Sequence, residues 1–363
     1  MLEPDKEQPG VRYFTLRDIL DCPEDDAEVK RARTAIMSAG PVPAILAGQA
    51  AEGYWEKPGP GYVPKYRSTV WSVTFLAQLG ADGAHSKVKA GCEYVLSHAL
   101  ARHGGFSLNG TPSAFIHCLS GNLAAALIDL GWLGDGRLQR MLEWQARTIT
   151  GDGMAGSENK EAVERYYRSS TCGPLFACAA NGRLSCAWGA VKAMLALSKV
   201  PPALRTPLIR AAIDQGVEFL LGRDPAVADY PMGYAGKPSS SWFRFGYPIG
   251  YVTDVLQNLE VLAALGRARD SRLARALELV ESKQDGQGRW RMEYSYNGKT
   301  WADIERKGQP SKWVTLRALR VLKAAYPREA VVAQAAGAYN LRAMTIFCIS
   351  VVPSPMVRNL ASR

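Results

Sequence analysis

Two ten-residue stretches of this chain, Gly134-Asp-Gly-Arg-Leu-Gln-Arg-Met-Leu-Glu143 and Arg269-Asp-Ser-Arg-Leu-Ala-Arg-Ala-Leu-Glu278, align without a gap. Each follows an apolar segment that ends in Leu-Gly, at Leu130-Gly131 and Leu265-Gly266. A third copy runs from Phe75 to Gly80 and resumes at Ser86. Such a repeat constrains the fold more than length does. Each unit has an apolar face that only its neighbour can cover, so the units must stack.

The unit reads helix, glycine turn, helix. Gly80, Gly131 and Gly266 fall where a helix C-terminus calls for positive φ. The second helix is amphipathic: Leu273, Ala276, Leu277 and Val280 recur at spacings of three and four, as do Leu208, Ile209, Ala212, Ile213 and Val217. The first helix is small and apolar all round, as expected of an inner helix enclosed by others. Inner helices are expected to start at Ser68-Thr69, Pro112-Ser113, Ser185-Cys186, Thr253-Asp254 and Ser311-Lys312. Loop insertions fall near 155–183 and 222–247, and residues 289–296 read as a short strand arm. A sixth hairpin would pair the helix Asp26 to Ala47 with the tail beyond Tyr326. The expected fold is all-α, an α/α toroid of about six helical hairpins. Residues 1–25 form a polar N-terminal segment, 26–325 the toroid, and 326–363 a closing helix or tail.

A short motif closes two of the units. Gln49-Ala-Ala-Glu-Gly-Tyr-Trp55 and Gln284-Asp-Gly-Gln-Gly-Arg-Trp290 both read Gln-x-x-x-Gly-x-Trp, with weaker echoes at His103-Gly-Gly-Phe106 and Gly151-Asp-Gly-Met154. A glutamine at a helix end can satisfy exposed backbone groups, the glycine permits a tight turn, and the tryptophan packs across the next helix. This motif resembles the QW motif of triterpene cyclases, which is degenerate in prenyltransferase β subunits. The resemblance covers roughly residues 30–325. It implies the α/α toroid of squalene-hopene cyclases and chemistry on an isoprenoid in the central cavity. The catalytic signatures of those families do not carry over. Asp-x-Asp-Asp is absent, Asp21-Cys-Pro-Glu-Asp25-Asp26 having the wrong spacing, and so is the zinc-binding Asp-x-Cys.

The chain of 363 residues carries a net charge of +10. Part of that charge is concentrated between Lys299 and Arg328. The stretch reads as a solvated helix face, or as attraction to an anionic membrane or a phosphorylated substrate. No zinc-finger, RNA-recognition or helix-turn-helix pattern points to nucleic acid. Seven cysteines without disulfide-scaffold spacing, a polar N-terminus and no apolar run near ~20 residues point to a reduced, cytoplasmic protein. Peripheral membrane contact stays open, and nothing fixes an oligomeric state.

Chemistry is expected at the inner-helix N-termini, where free N–H groups and the helix dipole concentrate. Thr69, His117, Cys186, Asp254 and Lys312 are expected to converge there, with the basic stretch at the border. Asp254 reads either as a helix cap assisted by Thr253 or as a general acid. His117 and Cys186 complete the candidate catalytic set, either with Asp254 as a zinc-type ligand group or as a thiolate–imidazole pair. Cys118, Cys172 and Cys178 lie close by in sequence or on adjacent elements, and packing is the simpler reading for them. Trp71, Phe115, Trp188, Phe245, Tyr251 and Trp313 are the expected substrate-binding aromatics, their π faces suited to a polyene or a carbocation. Lys312 would pair with Glu305 or grip an anionic head group. No cofactor is required by this reading; zinc or magnesium would be the metal admitted. The expected function is an enzyme that cyclises, isomerises or hydrates an apolar isoprenoid. The alternatives are a non-catalytic lipid- or protein-binding toroid and a zinc- or thiol-dependent hydrolase or lyase.

Overall fold

The computed structural model describes residues 1–156, 159–161, 165–166 and 172–326. The expected tail beyond Tyr326, and part of the first loop insertion, lie outside the described residues. The described chain is helical, with a few two-residue strand pairs. Its helices are α1 (Pro9–Phe14), α2 (Ala27–Ser38), α3 (Pro41–Ala47), α4 (Thr69–Gln78), α5 (Ser86–His98), α6 (His117–Asp129), α7 (Gly136–Thr150), α8 (Ala187–Ser198), α9 (Pro207–Leu221), α10 (Val255–Ala264), α11 (Ala274–Ser282) and α12 (Lys312–Ala325).

Four hairpins appear as α4–α5, α6–α7, α8–α9 and α10–α11. Gly80, Gly131 and Gly266 end their first helices with φ of 82°, 87° and 77°. An L residue avoids that region because its Cβ would crowd the next carbonyl. The first helices pack on one another in sequence: α4 on α6, α6 on α8, α8 on α10 and α10 on α12. In α6 and α8 nearly every residue is buried, whereas α5, α7, α9 and α11 bury one stripe. Inner and outer helices are therefore distributed as the hydrophobic pattern predicts.

The aligned repeats are built alike. Asp135 and Asp270 each cap their helix start, at Arg137 N (2.7 Å) and Arg272 N (3.0 Å). The capped residue is an arginine that folds back onto the same aspartate in both cases. Arg137 then reaches Glu93 on α5, and Arg272 reaches Glu218 on α9, so each repeat is tied to the preceding outer helix.

The two Gln-x-x-x-Gly-x-Trp segments also share one geometry. Trp55 Nε1 donates to Ile45 O at 2.6 Å and Trp290 Nε1 donates to Val280 O at 2.7 Å, both at the end of the preceding helix. Their backbone N–H groups donate to Thr69 Oγ1 and Thr315 Oγ1, each at 3.1 Å, on the next inner helix. Both tryptophans are fully buried. Gln49 Nε2 satisfies the carbonyls of Gly53 and Lys87 at 3.0 and 2.9 Å. The echo at His103 to Phe106 makes the same turn, with Ala101 N bonded to Gly105 O as Ala50 N is to Tyr54 O.

Two features depart from expectation. Residues 290–291 pair with Pro310–Ser311 rather than forming an arm of their own. The polar N-terminal segment is also packed into the fold. Val11, Leu16 and Ile19 are buried, and α1 packs against α2 and α12. Gly10 lies so close to Leu79 O and the Trp313 ring that a Cβ would meet them at 2.6 and 2.8 Å. So α1 is wedged between the start of α12 and the end of α4. Trp313 Nε1 donates to Gln8 Oε1 at 2.7 Å, and Gln8 Nε2 donates to Ile304 O. Among the described residues no helix is long and apolar enough to cross a membrane.

Candidate functional site

Thr69, His117 and Lys312 are the first residues of α4, α6 and α12, and Cys186 and Asp254 are the N-caps of α8 and α10. Their side chains do not share one task. Thr69 is occupied by Trp55 N. The His117 imidazole is fully buried between Gln145 Nε2 (2.6 Å) and Gly173 O (3.3 Å). Burial holds its pKa down at about 4, so the ring is neutral near pH 7.

Asp254 accepts from Gln257 N at 2.7 Å, Gly246 N at 3.3 Å and both terminal nitrogens of Arg317 at 2.9 Å. Arg317 is itself buried. Its remaining donors go to Gly246 O and Glu260. The Asp254 carboxylate thus has every lone pair engaged, as a helix cap and half of a fork-to-fork ion pair.

Lys312 pairs with Asp5 at 2.6 Å rather than with Glu305. Glu305 instead accepts from Lys312 N, Trp313 N and the Ser311 hydroxyl at the start of α12. Part of the basic stretch is paired in the same way: Arg320 meets Asp18, and Lys323 meets Asp21, whereas Lys299, Arg306 and Lys307 are exposed. Lys312, Arg320 and Lys323 thus form part of the seam to the N-terminal segment.

Cys186 does face open space. A groove of about 90 Å³ beside the starts of α6 and α8 is walled by Cys118, Cys178, Cys186, Trp188, Tyr230, Trp242 and Tyr251, among others. A smaller chamber of about 10 Å³ shares Cys118 and Tyr251 with it, and includes Tyr62, Trp71, Thr74 and Asn122. Of the expected aromatics, Trp71, Trp188 and Tyr251 therefore line these spaces. Phe115 packs against Trp144 and Cys172, Phe245 under Lys283, and Trp313 on Tyr247, none of them on these walls. Lys65 lies 4.3 Å over the Tyr251 ring.

The largest space lies at the opposite end of the inner helices. A cavity of about 680 Å³ is lined from α1, α4, α6, α8, α10 and α12. Its wall includes Ala77, Ala81, Ala125, Ala126, Ala263, Ala264 and Ala324. It shares Thr74 and Asn122 with the small chamber, and Asn122 is fixed there by Gly250 O at 2.9 Å. The carboxylates on its wall are paired: Asp18 with Arg320, Asp129 with Lys199, and Glu260 with Arg317. Gln257 also lines it and keeps a buried Oε1 without a hydrogen-bond partner. The expectation of a single mouth at the helix N-termini therefore gives way to a narrow groove there and a wide cavity at the C-terminal ends.

Sequence reasoning missed Lys192. It is the one cation within the apolar α8, fully buried, with Nζ bonded to Tyr251 O at 2.7 Å and to the Thr253 hydroxyl. Burial lowers its pKa. Its isolation in an apolar helix was the available signal. Among the described residues no group of three or more His, Cys, Asp or Glu is arranged to hold a metal ion.

No known family model matches the chain, and no curated protein matches it. Solved structures of the type II terpene cyclase MstE from Scytonema are similar to it. One, in complex with geranylgeranyl dihydroxybenzoate as substrate, has a TM-score of 0.45 and 15% identity, covering 91% of this chain and 78% of its own. One with merosterolic acid A as product has a TM-score of 0.45 and 15% identity, covering 91% and 79%. Likeness of this degree fixes neither fold nor activity.

Proposed function

We propose that the chain is an α/α toroid whose lumen takes an elongated, largely apolar small molecule of isoprenoid type, and that it is an enzyme that cyclises, isomerises or hydrates that molecule. One observation carries the reading: the cavity of about 680 Å³, whose volume falls among those of ligand sites. Alanine at seven wall positions withholds the side-chain volume that would otherwise fill a helical core. Arg33, Lys199 and Arg320 give the wide end a charged collar for a polar head group. The apolar tail would point toward the narrowing at Thr74 and Asn122. Beyond it, Tyr62, Trp71 and Tyr251 offer π faces to developing positive charge. In this reading Asp254 and His117 hold the frame, and Cys186 belongs to the groove.

A second reading, a toroid that binds without chemistry, is favoured by the pairing of Asp18, Asp129, Asp254 and Glu260 with arginine or lysine. In each pair the carboxylate is held by a structural partner and is not free for a ligand.

Linear isoprenoid alcohols, acids and diphosphates of increasing length, incubated with the protein, separate the readings. New products by mass spectrometry, lost in Ala264→Trp, establish the enzyme; Ala264 is exposed on the cavity wall, so the indole enters the lumen. Thermal stabilisation without product, also lost in Ala264→Trp, establishes the binder. Neither product nor stabilisation across the panel overturns both.

A further inference from the structure

Three cysteines converge on the groove wall, and the local backbone explains how. Residues 172–173 and 177–178 form an antiparallel strand pair in which Cys172 lies directly opposite Cys178. Cys172 N donates to Phe115 O and Cys178 N to Leu184 O, so the two residues exchange no backbone hydrogen bond. That makes them a non-hydrogen-bonded pair, the closer-spaced kind, with Cα atoms about 4.5 Å apart. This spacing lies within the range a disulfide spans. Ala177 bridges Ser185 on the other side, and Cys186 N donates to Phe176 O, which brings the third cysteine alongside.

Cys178 therefore has Cys172 across the strand pair and Cys186 alongside, and it is the residue that precedes the short turn Ala179–Asn181. Cys172 is buried, whereas Cys178 is half-buried and lines the groove. Of the facing pair, Cys178 is thus the sulfur that a ligand reaches. The groove faces it with aromatic rings, Trp188, Tyr230, Trp242 and Tyr251.

We infer that Cys178 is a nucleophilic thiol-exchange site, that Cys172 is its resolving thiol, and that its substrate class is a neutral aromatic disulfide. The Cys178 thiolate attacks one sulfur of the disulfide R–S–S–R. A Cys178–S–S–R bond forms and R–S⁻ leaves. The Cys172 sulfur then attacks Cys178, forming the 172–178 disulfide and releasing the second R–S⁻, which takes the Cys172 proton. The protein dithiol is oxidised by two electrons and the small disulfide is reduced to two thiols. Donation from both neighbouring thiols lowers the Cys178 pKa and raises those of Cys172 and Cys186, which favours Cys178 as the attacking thiolate. This inference is independent of the lumen reading.

The test uses the full chain and substoichiometric 4,4′-dithiodipyridine at pH 6, followed by peptide mapping. Cys178 should react on the order of tenfold faster than free cysteine, whose thiol is mostly protonated at that pH. The product should be the 172–178 disulfide. In Cys172→Ser the thiopyridyl adduct should instead accumulate on Cys178. Charged glutathione disulfide should react more slowly than the aromatic probe. A fast phase that maps to another cysteine, or reaction at Cys178 no faster than free cysteine, overturns the inference. Both readouts are obtained on the unmutated chain, so a poorly folding variant does not obscure them.

Discussion

Arg317 and Asp254 meet through two parallel hydrogen bonds of 2.9 Å, both residues buried, across the contact between α10 and α12. Removing one member leaves a buried charge without its partner, which commonly costs 3–5 kcal/mol. Asp254 is also the cap of α10. Asp254→Asn should therefore lower stability by about 3 kcal/mol or more in urea denaturation. A variant as stable as the parent would show that the pair is not what seats α10.

His117 gives a pH signature. Its pKa is near 4 in the fold, below the ordinary value of 6.5. Between those values the unfolded chain binds more protons than the folded one, so stability falls as pH falls from 6.5 toward 4. The full loss from this group is about 3 kcal/mol. His117→Gln should lack this component. Equal pH slopes for parent and variant in urea midpoints would refute the assignment.

The paired tryptophans should respond alike. Trp55→Phe and Trp290→Phe each remove an indole hydrogen bond to a buried carbonyl, at Ile45 and Val280. Each should cost about 2 kcal/mol. Unequal losses, with one variant near the parent, would mean that the two segments do not perform the same structural task.

These repeats were the part of the fold open to sequence reading. Gly80, Gly131 and Gly266, the amphipathic outer helices and the two tryptophan segments encode local geometry, and local geometry survives in pattern. The role of the N-terminal segment was hidden because Val11, Leu16 and Ile19 are scattered among charged residues, and because the bond of Gln8 to Trp313 spans 305 positions. Four of the five inner-helix starts fell where expected, while the second, expected at Pro112-Ser113, begins at His117 after a separate turn at Pro112–Ala114; the occupations of the starts were not foreseen. Whether a polar residue at a helix start faces a cavity or a capping partner depends on packing, as Asp254 and Lys312 illustrate. The cavity did leave a trace, in alanines gathered toward the C-terminal halves of the inner helices.

The N-terminal wedge makes a direct prediction. Deleting residues 1–20 removes the Gln8–Trp313 bond, the Lys312–Asp5 and Arg320–Asp18 pairs, and the burial of Val11, Leu16 and Ile19. The loss should be about 5 kcal/mol or more, each buried aliphatic side chain alone contributing about 1.5–3 kcal/mol. A lower melting temperature with new binding of a hydrophobic dye is the expected result. An unchanged melt would count against the wedge.

That wedge also sets a timetable. Gln8 leaves the ribosome first, and Trp313 follows only after another 305 residues. Until then the faces of α1 and α10 that α12 covers stay open. Local hairpins can form as they emerge, but this clasp can fasten only once α12 has been made. A ribosome stalled before α12 would hold a stack of formed hairpins with Gln8 still without its tryptophan partner.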